Sequence, residues 1–278
     1  LVALTAAHCS PHRHRGGTQP GFTLLKLLLI MLFSMAALIL SPAQQQTRFA
    51  WDSEATTLLG SGAFAVSLIY VNYAYSGWNA ATYISGELAA PQRSLPRVLS
   101  ISTAVVAALY CLLNFVFLSV APMDAMVGKV EVGVIAAEFA FGPQLGTFMG
   151  LLLAMLLVST ISAMILAGPR VLHRIGQDYP RFAPLARENR DGIPVTAILL
   201  QSGTALAFLW TASFEQILVF SGATMALNTF ATVLGLFILR WRQPHLPRPF
   251  RVTLYPITPV IFLGITGWTL TYVVLQRP

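Results

Sequence analysis

The sequence predicts an all-α integral membrane protein, and three observations lead to that prediction. Of the 278 residues, 56% are apolar and only 10% are charged, whereas soluble domains usually contain about a quarter charged residues. The mean hydropathy is +0.70. The apolar residues form long blocks rather than short alternations, which favours membrane helices over membrane strands. These features exclude a disordered chain, a disulfide scaffold and an ordinary soluble enzyme.

Seven apolar blocks are long enough to cross a bilayer, which takes about 20 helical residues. The predicted spans are Gly21–Leu40, Leu58–Ser85, Val98–Ala121, Leu145–Leu166, Ile193–Ala212, Gln216–Leu239 and Leu254–Leu275. Residues 1–20 have no helical periodicity and lack the apolar core of a signal peptide. We therefore divide the chain into an atypical polar N-terminal segment, residues 1–20, and a transmembrane domain, residues 21–278. The N-terminal segment is either native sequence, a truncated end or a frame artefact.

The basic residues are distributed unevenly between the two sides of these spans. If the loops alternate sides, 13 of the 17 Lys and Arg residues lie on the side of the N-terminus, Lys26 lies inside the first span, and only Arg48, Lys129 and Arg277 lie on the other side. Cytoplasmic loops are the ones enriched in Lys and Arg. We therefore expect the region before residue 21 to be cytoplasmic, in an inner or plasma membrane. The high basic content reflects topology, so no nucleic-acid partner is expected.

The second span is unusual in length and in composition. Its 28 residues would form a helix of about 42 Å, whereas the hydrocarbon core is about 30 Å thick. The helix must therefore tilt, extend beyond the interface or break. Its centre contains Asn72, Gly77 and Asn79. Broken helices in transporters expose carbonyls to a substrate, while a kinked, closely packed helix is the alternative. The two asparagines favour the binding interpretation, because polar groups without partners are costly in lipid.

Two further features have competing explanations. Lys26 costs about 2.5–3.5 kcal/mol at the centre of a span. It lies five residues after Gly21, so its side chain could instead reach the cytoplasmic interface, and the residues alone leave both possibilities open. Gly142, Gly146 and Gly150 form a stripe of small residues, for which we predict close helix packing rather than a function.

The segment Tyr73–Ile84, which reads YAYSGWNAATYI, resembles the sixth helix of amino acid permeases in the amino acid–polyamine–organocation (APC) superfamily, and within it the LAT-like branch. The following Gly86–Leu88 and Pro91–Arg97 agree with that resemblance, as does Ser162–Arg170 with the end of the eighth helix. The similarity covers about residues 21–278. It implies a leucine-transporter-like inverted-repeat fold, of which the seven spans correspond to helices five to eleven out of a usual twelve. The second repeat and one helix of the first would be present, and four more spans are expected upstream.

The resemblance also implies substrate-binding residues. The backbone carbonyls of Tyr73 and Ser76 would accept hydrogen bonds from the substrate ammonium, and the Tyr73 ring would occupy the position of a gating aromatic residue. Ala74 belongs to the same substrate-binding segment. Gly77 would permit the helix break, and Asn79 would line the site.

The resemblance assigns a coupling role to Lys26 as well. Sodium-independent members of the family often have a Lys on the fifth helix where relatives bind sodium, and its protonation would couple to substrate movement. Ser159 and Ser162, on the matching eighth helix, are the expected neighbours of Lys26. Hydrogen bonding of each serine to its own helix backbone is the alternative.

The function implied by the resemblance is secondary active amino acid transport by alternating access, with exchange or proton coupling and without sodium. The expected partners are an amino acid substrate, membrane lipid and protons, with no cofactor. The alternatives are transport of a polyamine or another cationic solute, and a non-transporting membrane interaction subunit. A membrane enzyme is not expected, because clustered acids or histidines are not seen, and scattered histidines do not predict a metal site. Substrate identity and oligomeric state stay open.

Overall fold

The computed structural model describes residues 1–9, 19–42, 45, 53–83, 90–248 and 250–276. Every regular element within these ranges is a helix. The α-helices are α1 (Val2–Cys9), α2 (Gln19–Leu40), α3 (Ser53–Leu59), α4 (Gly62–Ala74), α5 (Asn79–Tyr83), α6 (Pro91–Val120), α7 (Met123–Met126), α8 (Val132–Phe141), α9 (Pro143–Asp178), α10 (Val195–Thr211), α11 (Phe214–Arg242) and α12 (Ile257–Gln276). Two 3-10 helices cover Ser76–Trp78 and Pro180–Ala186.

Five of the described helices are long and apolar enough to cross a membrane, namely α2, α6, α9, α11 and α12. They coincide with five of the seven predicted spans, and they confirm the prediction of an all-α membrane protein. The predicted span Ile193–Ala212 corresponds to α10, whose 17 residues measure about 26 Å at 1.5 Å per residue. The predicted span Leu58–Ser85 is interrupted near its middle, between α4 and α5.

Residues 2–9 form helix α1 although the first twenty residues show no helical periodicity. Leu4 and Cys9 of this helix pack against the buried cluster Ile165, Ile193 and Ile198, and tertiary hydrogen bonds add to this contact. Thr5 Oγ1 donates to Ser202 Oγ on α10 over 2.8 Å, and both side chains are buried. His8 Nε2 lies 3.0 Å from the carbonyl oxygen of Ser162 on α9. Residues 10–18 of the predicted segment lie outside the described residues.

Helix α9 continues twelve residues beyond the predicted end of its span at Leu166. Its 36 residues measure about 54 Å, and Pro169 lies within it, fully buried. The 3-10 helix Pro180–Ala186 then folds back against α9. A Cβ atom added to Gly176 would lie 2.5 Å from the backbone nitrogen of Ala186, so only glycine permits this approach. Much of the connection between the predicted spans Leu145–Leu166 and Ile193–Ala212 is therefore helical.

The chain divides into two compact units. Unit 1 consists of residues 1–49 and 104–206, and unit 2 of residues 50–103 and 207–278. The main core of unit 1 surrounds Phe33 of α2, whose ring lies 6.2 Å from that of Phe117 and 6.0 Å from that of Phe141. Small residues of α8 complete this core: Ala136, Ala137 and Ala140.

The glycine stripe belongs to the hairpin formed by α8 and α9. Gly142 has a φ of 90° and makes the turn between the two helices. A Cβ atom on Gly146 would collide with Glu138, and one on Gly150 would lie 3.5 Å from Val134 Cγ2. The prediction of close packing is therefore confirmed for Gly146 and Gly150, and Gly142 serves the turn.

The core of unit 2 lies between α4, α11 and α12. It contains the buried residues Ile69, Val219, Ala226 and Val273. Gly222 of α11 lies directly against α4, since an added Cβ atom would be 2.7 Å from Ile69 Cγ2 and 3.6 Å from Tyr73 Cβ. This contact fixes the last turns of α4, just before the helix is interrupted.

Candidate functional site

The interruption between α4 and α5 is the first candidate site. Helix α4 ends at Ala74, and Tyr75 follows with φ −91° and ψ 0°. The Tyr75 N–H donates to the carbonyls of Val71 and Asn72, and each of these hydrogen bonds is 3.2 Å long. A 3-10 turn covers Ser76–Trp78 before α5 begins at Asn79. The long span is expected to tilt, to extend beyond the interface or to break. The structure shows that it breaks.

Ser76 contributes to the break through its side chain. Its hydroxyl donates a hydrogen bond of 2.7 Å to the carbonyl oxygen of Tyr73. Serine hydroxyls offer the backbone an alternative to regular helical bonds, which weakens the helix locally. The Tyr75 N–H also points to the Tyr73 carbonyl oxygen, so both local donors at the break turn toward this acceptor.

The predicted substrate-binding residues lie along this one short segment. Tyr73, Ala74 and Gly77 are exposed, and Ser76 is half-buried. Asn79 is also half-buried, but its Oδ1 atom is buried and has no hydrogen-bond partner among the described residues. A buried acceptor without a donor is unfavourable by about 1–3 kcal/mol. The segment therefore presents acceptors to any donor that reaches it.

The expected role of Gly77 in permitting the break is not supported by the backbone. Gly77 does not have a left-handed φ, and an added Cβ atom would meet nothing within 4 Å. Any residue could adopt this conformation. The Ser76 hydroxyl and the Tyr75 backbone contribute to the break, and the role of Gly77 could then lie only in its low helix propensity, which stays a prediction.

Two residues of α11 support this segment and were missed in the sequence. Gly222 allows α4 to approach closely, and Tyr70 Oη donates to Glu215 Oε1 over 3.3 Å. The spacing of Gly222 and Ala226, four residues apart on one helix face, is the signal that could have identified the packing surface.

Lys26 and its surroundings in unit 1 form the second candidate site. The Lys26 ammonium donates to Thr160 Oγ1 of α9 over 2.9 Å, and that hydroxyl donates to the Leu156 carbonyl over 3.2 Å. An ammonium has three donors, and the other two have no partner among the described residues. Lys26 is half-buried, and its ammonium is held by a neighbouring helix.

The two serines expected beside Lys26 lie elsewhere, and Thr160 takes their place. Ser159 Oγ is buried without a hydrogen-bond partner in the described part of the chain. Ser162 Oγ lies 3.0 Å from His8 Nε2. Successive residues of a helix are about 100° apart around its axis, so only one of these neighbours can face Lys26. The alternative of backbone bonding is wrong for both serines.

Lys26 and Thr160 line one side of a cavity of about 370 Å³. All the other residues that line this cavity are apolar or glycine, among them Leu29, Phe117 and Leu153. The cavity therefore combines an apolar wall with a single cation and a single hydroxyl. Among the described residues, no group of three or more His, Cys, Asp or Glu side chains could hold a metal ion.

The long apolar helices and the interrupted helix define a multi-pass α-helical membrane protein. A family model described as amino acid permease matches residues 1–278. The chain therefore belongs to the amino acid permease family. The match includes the first twenty residues, which the observed similarity had not covered.

Several curated proteins are similar to this chain. The large neutral amino acids transporter small subunit 2 of Mus musculus is 26% identical over 100% of this chain and 52% of its own length. The Asc-type amino acid transporter 1 of Mus musculus is 26% identical over 78% of this chain and 41% of its own. The b(0,+)-type amino acid transporter 1 of Homo sapiens is 23% identical over 92% of this chain and 52% of its own length. The chain thus spans about half the length of these relatives.

These matches confirm the LAT-like resemblance. All three relatives are named as transporters and none as an enzyme, in agreement with the prediction that the chain is not an enzyme. The roles of Tyr73, Ala74, Ser76, Gly77 and Asn79, and the coupling role of Lys26, remain predictions.

The Lys26–Thr160 contact can be measured with a double-mutant cycle. Thr160→Val should lower the stability of the wild-type chain, because the ammonium loses its partner, and should have much less effect in a Lys26→Met background. The coupling free energy should be about 0.6–1.7 kcal/mol, the usual range for hydrogen bonds between membrane helices. The measurement is unfolding of the detergent-purified chain, followed by tryptophan fluorescence.

The control is a second cycle that pairs Lys26→Met with Ser162→Ala on the same helix. Its coupling should be close to zero, because Ser162 contacts His8 instead. Equal coupling in the two cycles would show that Lys26 does not distinguish Thr160 from its neighbours.

Proposed function

We propose that the protein containing this chain transports an amino acid across a membrane by alternating access. Transport is independent of sodium and proceeds by exchange or proton coupling. The observation that carries this proposal is the interrupted helix between Ala74 and Asn79, in a chain of the amino acid permease family. Interrupted helices near the bilayer midplane are the usual place of substrate binding in secondary transporters.

The chemistry of the interruption fits a substrate ammonium group. Asn79 Oδ1 is a buried acceptor without a donor among the described residues, and the Tyr73 carbonyl lies in the same segment. An ammonium supplies three donors. Each hydrogen bond from a charged donor would contribute about 1.5–3 kcal/mol. The exposed Tyr73 ring, 38% accessible, would cover the substrate from one side.

Lys26 would couple transport to protons or to exchange. Its ammonium lies at an apolar cavity, with one neutral hydroxyl as partner and no acidic residue lining the cavity. A change in the protonation or contacts of Lys26 would alter its hydrogen bond to Thr160 and, with it, the contact between α2 and α9. Thr160 would act as the relay partner in place of Ser159 and Ser162.

The arginine distribution supports an orientation with the region before residue 21 in the cytoplasm. The loop between α7 and α8 contains Lys129 and would lie outside, and the loop between α9 and α10 contains Arg190 and would lie inside. Both residues are exposed. We place the protein in the inner or plasma membrane.

Uptake into proteoliposomes tests the transport function. The full-length product of the gene that encodes this chain should accumulate a labelled neutral amino acid. Asn79→Ala should weaken the apparent affinity about tenfold or more, because one charge-assisted hydrogen bond is lost. Asn114→Ala is the control, since its amide already bonds to the Tyr110 carbonyl, and it should leave the affinity unchanged.

The same assay separates the alternatives. If a diamine inhibited uptake more strongly than any amino acid did, the proposed substrate would be a cationic solute instead of an amino acid. Absence of uptake by a correctly folded, reconstituted protein would favour the non-transporting subunit.

Lys26→Ala tests the coupling role. The variant should lose the dependence of uptake on external pH, or the ability to exchange, because no other cation lines the cavity. Lys129→Ala removes an exposed loop lysine and should behave like wild type. If Lys26→Ala kept the wild-type pH dependence, the lysine would serve only to reach the membrane interface.

Single-cysteine labelling tests the orientation. In a background where Cys9 and Cys111 are replaced by Ser, Lys129→Cys should react with a membrane-impermeant maleimide on intact cells. Arg190→Cys should react only after lysis, and both should react in open membranes. The reverse pattern would overturn the assignment of sides.

A further inference from the structure

A second cavity, of about 660 Å³, lies in unit 2 between the end of α11 and the start of α12. Three arginines line it: Arg240, Arg248 and Arg251. We call it the arginine cavity. Its remaining lining includes Tyr255 and the leucines Leu246 and Leu254. It is separate from the interrupted helix and from the cavity at Lys26.

Arg240 is held in a fixed orientation at this cavity. Its guanidinium lies 3.6 Å from the centre of the Tyr255 ring, which is a cation–π contact. The Tyr255 ring in turn packs against Phe237, with 5.5 Å between centroids. The Nε atom of Arg240 is buried without a hydrogen-bond partner among the described residues. A donor so placed favours an acceptor that enters the cavity.

Arg248 is also positioned by the chain itself. Its Nη1 donates to the Pro244 carbonyl over 2.8 Å, and its Nη2 donates to the Gln243 carbonyl over 2.9 Å. Both carbonyls follow the end of α11, so the guanidinium is anchored against the helix terminus. A guanidinium has five N–H donors, and these two contacts leave others available.

The arginine cavity contains positive charge without a compensating carboxylate. Glu215 is the last acidic residue of the sequence, and the 63 residues after it contain five arginines and no Asp or Glu. In the described part of the chain, none of the lining arginines forms an ion pair. Guanidinium groups bind phosphate through paired N–H donors.

The surroundings of the cavity distinguish a lipid from a soluble anion. Leu254 is 67% exposed, Phe250 56% and Leu246 43%. Exposed apolar side chains beside arginines are typical of a surface in contact with the membrane interface, where headgroups meet acyl chains. The cavity also lies at the end of α11, a helix long enough to cross the membrane.

We propose that the arginine cavity binds the phosphate group of an anionic phospholipid, with Arg240, Arg248 and Arg251 around the phosphate and Leu246 and Leu254 against the acyl chains. With the proposed orientation, this lipid belongs to the cytoplasmic leaflet. The site itself does not depend on that orientation or on transport, because it rests on the cavity, its charges and its apolar rim.

Native mass spectrometry of the full chain tests the site. The protein is purified in detergent and exposed to equal amounts of phosphatidylglycerol and phosphatidylcholine. Wild type should retain phosphatidylglycerol in preference by about tenfold or more. Arg240→Gln and Arg251→Gln should each reduce this preference about fivefold, the effect of one basic residue near an anionic surface.

Arg242→Gln is the matched control. Arg242 lies on the same last turn of α11 and is exposed, but it does not line the cavity, so its replacement should leave the preference within about twofold of wild type. An equal loss in Arg242→Gln would overturn the site in favour of a general charge effect. Unchanged retention in Arg240→Gln and Arg251→Gln would overturn it as well.

Two further measurements keep the result interpretable. Far-UV circular dichroism identifies variants that have lost the fold. In the wild type, the preference for phosphatidylglycerol should fall at high salt, because the arginines are partly exposed. Inorganic phosphate is added in a separate arm. Stabilisation of the chain by inorganic phosphate, without a preference for phosphatidylglycerol, would overturn the lipid as the source of the phosphate.

Discussion

The need to satisfy every backbone polar group inside the bilayer governs this structure. Without water, only continuous helices achieve this within one segment, and the five longest helices are all of this kind. Hydroxyl side chains follow the same rule. Many of them donate to a carbonyl four residues earlier in their own helix, as at Ser102, Thr204, Thr224 and Thr271. Most polar residues of the helices therefore need no partner from elsewhere.

Some exceptions to this self-sufficiency lie at the two candidate sites, while others, such as Ser34 and Thr269, lie elsewhere in the helices. At the interruption after Ala74, the Tyr73 carbonyl is bonded by a side chain, and Asn79 Oδ1 has no donor among the described residues. In unit 1, the Lys26 ammonium relies on one hydroxyl from another helix. In both places polar capacity exceeds what the helices use. Such capacity is costly in an apolar medium, which supports the roles proposed for both places.

The sequence predicts what depends on local properties and misses what depends on packing. Hydropathy and length locate the helices, and the polar cluster from Asn72 to Asn79 locates the break, because both effects act within a few residues. The partner of Lys26 could not be chosen, since the rotation of α9 decides whether Ser159, Thr160 or Ser162 faces it. Helix α1 was missed for a similar reason. Its Thr5 hydrogen bond joins residues 197 positions apart, and no local pattern contains that information.

The cations that line the two cavities differ in type: the cavity of unit 1 has a lysine, and the cavity of unit 2 has three arginines. Lys26 lies at a cavity lined by apolar residues and one hydroxyl, whereas Arg240, Arg248 and Arg251 lie together at a cavity beside a helix end. A lysine can release its proton, but an arginine stays charged in proteins. This difference agrees with the two proposals, a lysine whose charge would change during transport and arginines that would hold a phosphate through paired donors. In the proposed orientation, the arginines that indicate the cytoplasmic side would also form a permanent anion site there. A lysine in place of Arg240 would lose the planar stacking on Tyr255 and the paired donors of a guanidinium.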